Sequence, residues 1–254
     1  MASWITKPQQ LIAHRGNSWE QPENTRAAIL SAIEISSDVI EFDVSMTSDK
    51  VAIALHGPKL QKTTTGRGRA IGYTWKEVQH FLTIDRKGQE TGEPIPAVMD
   101  ILSEFGPQSS WNLDIKDIRS FSSTVSLLKD LSLERQVIFS GLHSRTVKNF
   151  SSKFPDINFL VNLSRFDKIM LAVRVFTRRW LRFRFADLVH YPFVVGINVH
   201  HRYVNKVLVD LVHGLGIEIW VFTVDQLDDV NRLFALGVDS VTTNRPGMRS
   251  AKRP

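Results

Sequence analysis

The chain is expected to fold as an α/β protein, a single-domain TIM (β/α)8 barrel spanning residues 1–254. Three observations lead there. Short β-rich runs alternate with helix-length amphipathic stretches along nearly all of the 254 residues. Many of these runs are continuously apolar, as in strands of a parallel sheet covered on both faces. Polar and charged residues also gather at the ends of successive runs, where a barrel of this kind places its chemistry. The length suits one such barrel. A composition of 43% hydrophobic and 23% charged residues is ordinary for a protein with a substantial core.

The predicted strands are Gln10–His14, Val39–Val44, Val51–His56, Trp111–Lys116, Gln136–Ser140, Asn158–Leu163, Gly196–His200, Glu218–Val224 and Ser240–Thr243. Helical periodicity is read over Thr25–Ile35, Thr74–Leu82, Ala97–Phe105, Phe121–Leu131, Ser144–Phe154, Tyr203–Leu215 and Leu227–Leu236. Asn24 or Thr25 can cap the first helix, and Thr74 with Glu77 has the spacing of a capping box. Gly214, Gly216 and Gly237 fall at predicted helix ends. No low-complexity linker interrupts the series, so a single domain is expected.

The net charge of +6 is concentrated. Arg165, Lys168, Arg174, Arg178, Arg179, Arg182 and Arg184 stand against Asp167 between Ser164 and Phe185, and the rest of the chain is balanced. This stretch mixes its cations with Phe, Leu, Val and Trp. Two readings stay open: a wall helix with solvated arginines, or a basic helix in peripheral contact with an anionic membrane. No nucleic-acid motif accompanies the charge, so nucleic acid is not expected, and no protein partner is predicted. No apolar run reaches the roughly 18 residues of a membrane span, and the first residues have no signal-peptide core. The chain contains no cysteine, which excludes disulfides and thiolate metal sites. Cytoplasmic location is the default expectation.

Glu41 and Asp43 are two residues apart in a predicted strand and therefore share a face. Two adjacent carboxylates repel unless a proton or cation lies between them, and one divalent cation with oxygen ligands, Mg²⁺ or Ca²⁺, resolves the conflict. The alternative is a solvated pair on an edge strand. Asp114-Ile115-Lys116 repeats the geometry on a later strand, where Asp114 can complete the ligand set and Lys116 can meet a phosphate oxygen; a structural ion pair is the alternative there. His14-Arg15-Gly16 ends one strand and His56 another. Two histidines beside a phosphate can exchange protons as base and acid. His80, His143, His190 and His213 are read as structural or surface residues, and His200-His201 as equally consistent with pocket lining or packing.

Taken together, these residues resemble the glycerophosphodiester phosphodiesterase family. The likeness is carried by His14-Arg15-Gly16, Pro22-Glu23-Asn24-Thr25, Glu41-Phe42-Asp43-Val44, His56, Thr63-Thr64-Thr65-Gly66, Asn112-Leu113-Asp114-Ile115-Lys116, Trp220 and Thr243-Asn244-Arg245-Pro246, in family order over nearly the whole chain. The resemblance implies a TIM-barrel hydrolase that cuts a phosphodiester to an alcohol and a phosphomonoester, by way of a cyclic phosphate in the mechanism favoured for the family. It places metal ligands at Glu41, Asp43 and Asp114, acid/base histidines at His14 and His56, and phosphate contacts at Arg15 and Lys116. The chain departs from the family pattern at Gly57, where Asp is usual, at Asp114 (Glu), Asp225 (Asn) and Asn244 (Asp). His56-Gly57-Pro58 and Asp114-Ile115-Lys116 look like the related sphingomyelinase D branch, which lacks the Pro-Glu-Asn-Thr stretch. The expected substrate is therefore a small-molecule or lipid-derived glycerophosphodiester. The alternatives are a lysophospholipase D or sphingomyelinase D-like enzyme, or a non-catalytic phosphodiester or membrane-surface binder.

Overall fold

The computed structural model describes residues 9–165, 167, 185–191 and 193–248. Its strands are β1 (Gln10–Ala13), β2 (Val39–Met46), β3 (Ala52–Ala54), β4 (Leu82–Ile84), β5 (Glu90–Pro94), β6 (Trp111–Ile115), β7 (Val137–Leu142), β8 (Asn158–Asn162), β9 (Val194–His200), β10 (Glu218–Phe222) and β11 (Ser240–Thr243). The helices are α1 (Arg26–Glu34), α2 (Trp75–Val78), α3 (Val98–Phe105), α4 (Phe121–Asp130), α5 (Ser144–Ser151), α6 (Lys206–His213) and α7 (Leu227–Ala235). One sheet runs in the order β1-β11-β10-β9-β8-β7-β6-β2-β3, and β1 also pairs with β2. Eight strands thus form a closed cycle with helices between them, the order of a (β/α)8 barrel.

Two expectations are corrected in detail. The strand that leads to His56 is not a parallel repeat: β3 pairs antiparallel with β2, Ser45 opposite Ile53. The helix expected over Thr74–Leu82 is only Trp75–Val78. Its capping box is present, but Leu82 already belongs to a hairpin, β4–β5, that periodicity did not reveal. β-Branched Thr83 and Ile84 favour the strand, and the turn is closed by Asp85, whose Oδ1 accepts from the backbone N–H groups of Lys87 and Gln89, both at 2.8 Å. The basic stretch from Phe166 to Phe185 lies, apart from Asp167 and Phe185, outside the described residues. Among the described residues no helix is long and apolar enough to cross a membrane.

Contacts divide the chain into two compact units. One contains Ile12–Val137 with the chain from Asn244 onward. Its core is built on β2, buried at every residue, where Phe42 meets Trp111 edge-on at 5.9 Å. Truncating either ring would cost about 3–5 kcal/mol. Thr25 caps α1, accepting from Ala28 N–H at 3.1 Å and donating to Pro22 O at 2.6 Å. A satellite core of Ile53, Leu55, Leu60, Ala70, Val78 and Ile95 supports the long excursion between β3 and α3. It anchors the turn that follows His56 and the hairpin. The other unit contains Ile138–Thr243 with the chain up to Leu11. There Phe139 packs against Phe159, and α6 and α7 bury Leu208, Val209, Val212, Val230 and Leu233.

Candidate active site

Every group assigned a role from the sequence lies in the first of these units. β2 supplies Glu41 and Asp43, 3% and 0% exposed. Alternation along the strand aims both the same way. β6 runs parallel to β2 with Glu41 opposite Asn112 and Asp43 opposite Asp114, so the third carboxylate arrives by strand register alone. Oxygens of Glu41, Asp43 and Asp114 lie within 4.8 Å of one another.

The turn after β1 grips two of these carboxylates. Arg15 sits in the left-handed region, φ 56°, which is uncommon for a residue with a side chain and is concentrated at functional sites. The conformation lets its backbone N–H donate to Glu41 Oε2 at 2.8 Å while its Nε lies 2.9 Å from Asp43 Oδ2. Its Nη1 donates to Glu23 Oε2 at 2.6 Å. Gly16 makes this tight turn possible: its φ is 75°, and a Cβ there would lie 2.5 Å from the backbone of Ala28.

His14 Nδ1 is 2.6 Å from Asn244 Oδ1, an oxygen that also accepts from Ser18 Oγ at 3.0 Å. An amide oxygen only accepts, so Nδ1 carries the proton and Nε2 is left with its lone pair. Nε2 faces Glu41 Oε2 at 4.0 Å. Burial, followed by the neighbouring Arg15 charge, pushes the His14 pKa down to about 4, so the ring is neutral at neutral pH. His56, just past β3, directs Nδ1 to Asp43 Oδ2 at 3.1 Å, and its Nε2 is 3.5 Å from Arg15 Nη2.

Asp43 is the hub. Lys116 Nζ lies 2.9 Å from its Oδ1 and 2.8 Å from Asp114 Oδ2, and Asn24 Nδ2 donates to its Oδ2 at 2.9 Å. Burial alone would raise its pKa, but Lys116, His56 and Arg15 outweigh burial and hold it well below the usual carboxylate range. Glu41 goes the other way: burial, then Asp43 and Asp114, raise it well above that range. Burial likewise raises Asp114 despite Lys116. Burial works against the Lys116 charge, yet Asp43, Asp114 and Glu41 keep its pKa above the ordinary value.

This donor set fits a hard divalent cation. All three groups offer oxygen, and two of them are pushed towards protonation by burial and then by their carboxylate neighbours, both of which a bound cation would offset. Asp114 Oδ1 and Asn112 Oδ1 are buried in this neighbourhood without a hydrogen-bond partner. These oxygens are further acceptors within reach of the same carboxylate trio, as a hard cation prefers.

Contacts of Ser18, Glu23, Asn24 and Asn244 were not predicted. The Pro22-Glu23-Asn24-Thr25 stretch read as a helix start, and Thr25 is that cap, but Asn24 instead holds Asp43 through both its side-chain amide and the Asp43 N–H. Nothing local marks such pairings across the fold. Two other strand-end residues have contacts of a different kind. His200 stacks on His201 and accepts from Arg202 N–H, and Thr243 donates to Asp225.

A family model described as the glycerophosphoryl diester phosphodiesterase family matches residues 14–248. A glycerophosphodiester phosphodiesterase of Caldanaerobacter subterraneus is 26% identical over 248 residues, covering 93% of this chain and 94% of the relative. A lysophospholipase D of Rattus norvegicus is 24% identical over 264 residues, covering 92% and 83%. Among solved structures, a phosphodiesterase of Oleispira antarctica in complex with the product sn-glycerol-3-phosphate superposes with a TM-score of 0.80 at 23% identity, covering 96% of each chain. That likeness shows a shared fold. With the family match running from the first site histidine to the end of the described chain, this protein belongs to the glycerophosphoryl diester phosphodiesterase family.

Proposed function

We propose that the chain hydrolyses a glycerophosphodiester to an alcohol and a phosphomonoester, with His14 and His56 exchanging protons across a phosphate held by Arg15 and Lys116. One observation carries the reading: the buried Asp43 touches Arg15, His56 and Lys116 at once, while its strand neighbour Glu41 faces His14. Both candidate proton carriers and both cations are thus organised around one pair of carboxylates. The family membership and the relatives' activities support it.

His14 acts as base, since Asn244 fixes the Nδ1–H tautomer and Nε2 is unprotonated. His56 acts as acid, with the Asp43 carboxylate behind its Nδ1 in the arrangement that steadies an imidazolium. Arg15 and Lys116 offset charge that grows on the phosphate oxygens. Glu41, Asp43 and Asp114 would hold one divalent cation, Mg²⁺ or Ca²⁺, which supplies further charge neutralisation when bound. Attack by a neighbouring glycerol hydroxyl, giving a cyclic phosphate that water then opens, uses the same two histidines in turn.

Incubating the cation-loaded protein with a panel of glycerophosphodiesters and following products by phosphorus NMR tests the reading. A phosphomonoester signal that chelation abolishes is expected. Its absence with every diester, with either cation added, would overturn it. A second reading, cleavage of lysophospholipids, is favoured by a cleft of about 320 Å³ beside Lys116, with Met46, Pro58, Ala70, Ile71 and the half-exposed Ile118 available to an apolar arm. Adding a lysophospholipid to the same panel decides it. Contact of the basic stretch with anionic lipid rests on composition alone; equal recovery after sedimentation with neutral and anionic liposomes would remove it.

A further inference from the structure

We infer that a second cleft beside the catalytic turn is a specificity subsite for a diester arm bearing an oxyanion, either a carboxylate or a second phosphate. The inference rests on the phosphodiesterase reading above. The cleft, about 450 Å³, is lined by Trp19, Glu20, Pro22, Asp85, Arg86 and Lys87 among others. That volume suits the head group of a small molecule.

Its position ties it to the reaction. Trp19 N–H donates to Asn244 O at 2.9 Å, and the side chain of the same Asn244 holds His14. At the other end of the segment, Pro22 precedes Glu23, whose carboxylate holds Arg15. The cleft wall is therefore continuous with the groups that hold a catalytic histidine and a phosphate-binding arginine. A substrate with its phosphate at Arg15 can extend an arm along this wall.

Its charge indicates the chemistry. The Arg86 guanidinium carbon lies 3.7 Å from the centre of the Trp19 ring, and that of Arg245 lies 4.5 Å from it. The Arg86 guanidinium, stacked on the indole, presents its in-plane N–H groups to the cleft, the geometry that suits carboxylate and phosphate. Arg86 and Lys87 form no ion pair among the described residues. Asp85 is spent on its own turn, accepting from Lys87 and Gln89 N–H groups. A quaternary ammonium needs an open aromatic face, and the ring here already engages two guanidinium groups.

Four diesters test this: glycerophosphoserine, glycerophosphoglycerol with a terminal phosphate, plain glycerophosphoglycerol, and glycerophosphocholine. At low salt, kcat/KM for an oxyanion-bearing substrate is expected to exceed that for the choline ester by about tenfold, the scale of one or two charge-assisted contacts, and to fall with added salt. Preference for the serine ester alone assigns a carboxylate as the ligand, and preference for the terminal phosphate alone assigns a phosphate. Arg86→Glu should erase the preference through KM while leaving kcat on plain glycerophosphoglycerol within about twofold. A flat profile, a choline preference, or a ratio unchanged by Arg86→Glu would overturn the subsite while leaving the phosphodiesterase reading intact. Cleavage of none of the four would overturn both.

Discussion

In the unit that contains Ile12–Val137, strand ends bear His14, Glu41, Asp43, Asp114 and Lys116; in the unit that contains Ile138–Thr243 they bear Ser140, Asn162, Asn198, His200 and Thr243. Both sets lie at or near strand ends; His14, Glu41, Asp43, Asp114, Lys116, Ser140, Asn198 and His200 were legible as such in the sequence, whereas Asn162 and Thr243 were not singled out. Their fates differ because of charge. In the second unit mostly neutral groups bond to one another: Asn162 Oδ1 accepts from Gly141 N–H at 3.0 Å and from Asn198 Nδ2 at 3.4 Å, and Thr243 donates to Asp225, while the buried Ser140 hydroxyl has no hydrogen-bond partner among the described residues. In the first unit buried charges of both signs are held in contact, with oxygens of Asp114 and Asn112 left over. Position at a strand end is therefore a weak sign of chemistry. Buried charge that the protein alone leaves incompletely satisfied is a strong one.

The sharpest way to break this comparison is to exchange histidines. His14→Ala and His56→Ala are each expected to lower turnover at least about 100-fold, the scale of acid/base assistance. His200→Ala, at a strand end of the other unit, should stay within about threefold. A steady-state assay on one glycerophosphodiester measures all three, and equal effects would dissolve the distinction.

Next comes the carboxylate trio. Glu41→Gln and Asp114→Asn should abolish the rise in melting temperature that Mg²⁺ or Ca²⁺ gives the wild type, seen by thermal unfolding with and without chelator. Activity should fall by about 10-fold or more. Asp43 is a poor target for this purpose. Removing its carboxylate takes a buried partner from Arg15, His56 and Lys116 at once and would cost about 3–5 kcal/mol of stability, so a dead variant would be uninformative.

A smaller effect is expected one step out. Asn244→Leu removes the acceptor that orients His14 and should lower kcat by about tenfold with KM and cation binding kept, whereas Asn244→Asp, which retains an acceptor, should recover most of the loss. Loss of KM rather than kcat would count against a positioning role.

In the second unit, Glu218 is the titratable group to set beside these. Burial raises the Glu218 pKa from 4.5 to about 7, partly countered by the bond from Trp220 Nε1 at 2.9 Å and reinforced by Asp239. Between those two values the folded protein holds a proton that the unfolded chain has released, so stability falls as pH rises through this window. Melting curves over that range should show the decline in the wild type and a flatter course in Glu218→Gln. Identical slopes would exclude Glu218 as the cause.

Much of this architecture was readable beforehand, for physical reasons that particular elements make plain. Continuous apolar runs such as Val39–Val44 announce strands because burial on both faces admits few alternatives. The hairpin β4–β5 escaped notice because its burial is partial, its strands are short and its pairing is marked by contacts across the turn, such as that of the Thr83 and Thr91 hydroxyls, rather than by a local period. Val51–His56 read correctly as extended chain, but its direction relative to β2 is not a local property.

What the sequence determined by itself was the inventory: Glu41 and Asp43 on one strand face, His14-Arg15-Gly16 at a strand end, and the alternation that makes a barrel. These are consequences of short-range geometry, above all the period of two along a strand. Only the tertiary structure decided that Asp114 stands opposite Asp43, that Asn244, at the far end of the chain, holds the His14 ring, and that Arg86 and Arg245 converge on Trp19. Register between strands and contacts over hundreds of residues are set by how the whole core packs. No spacing within the chain encodes them.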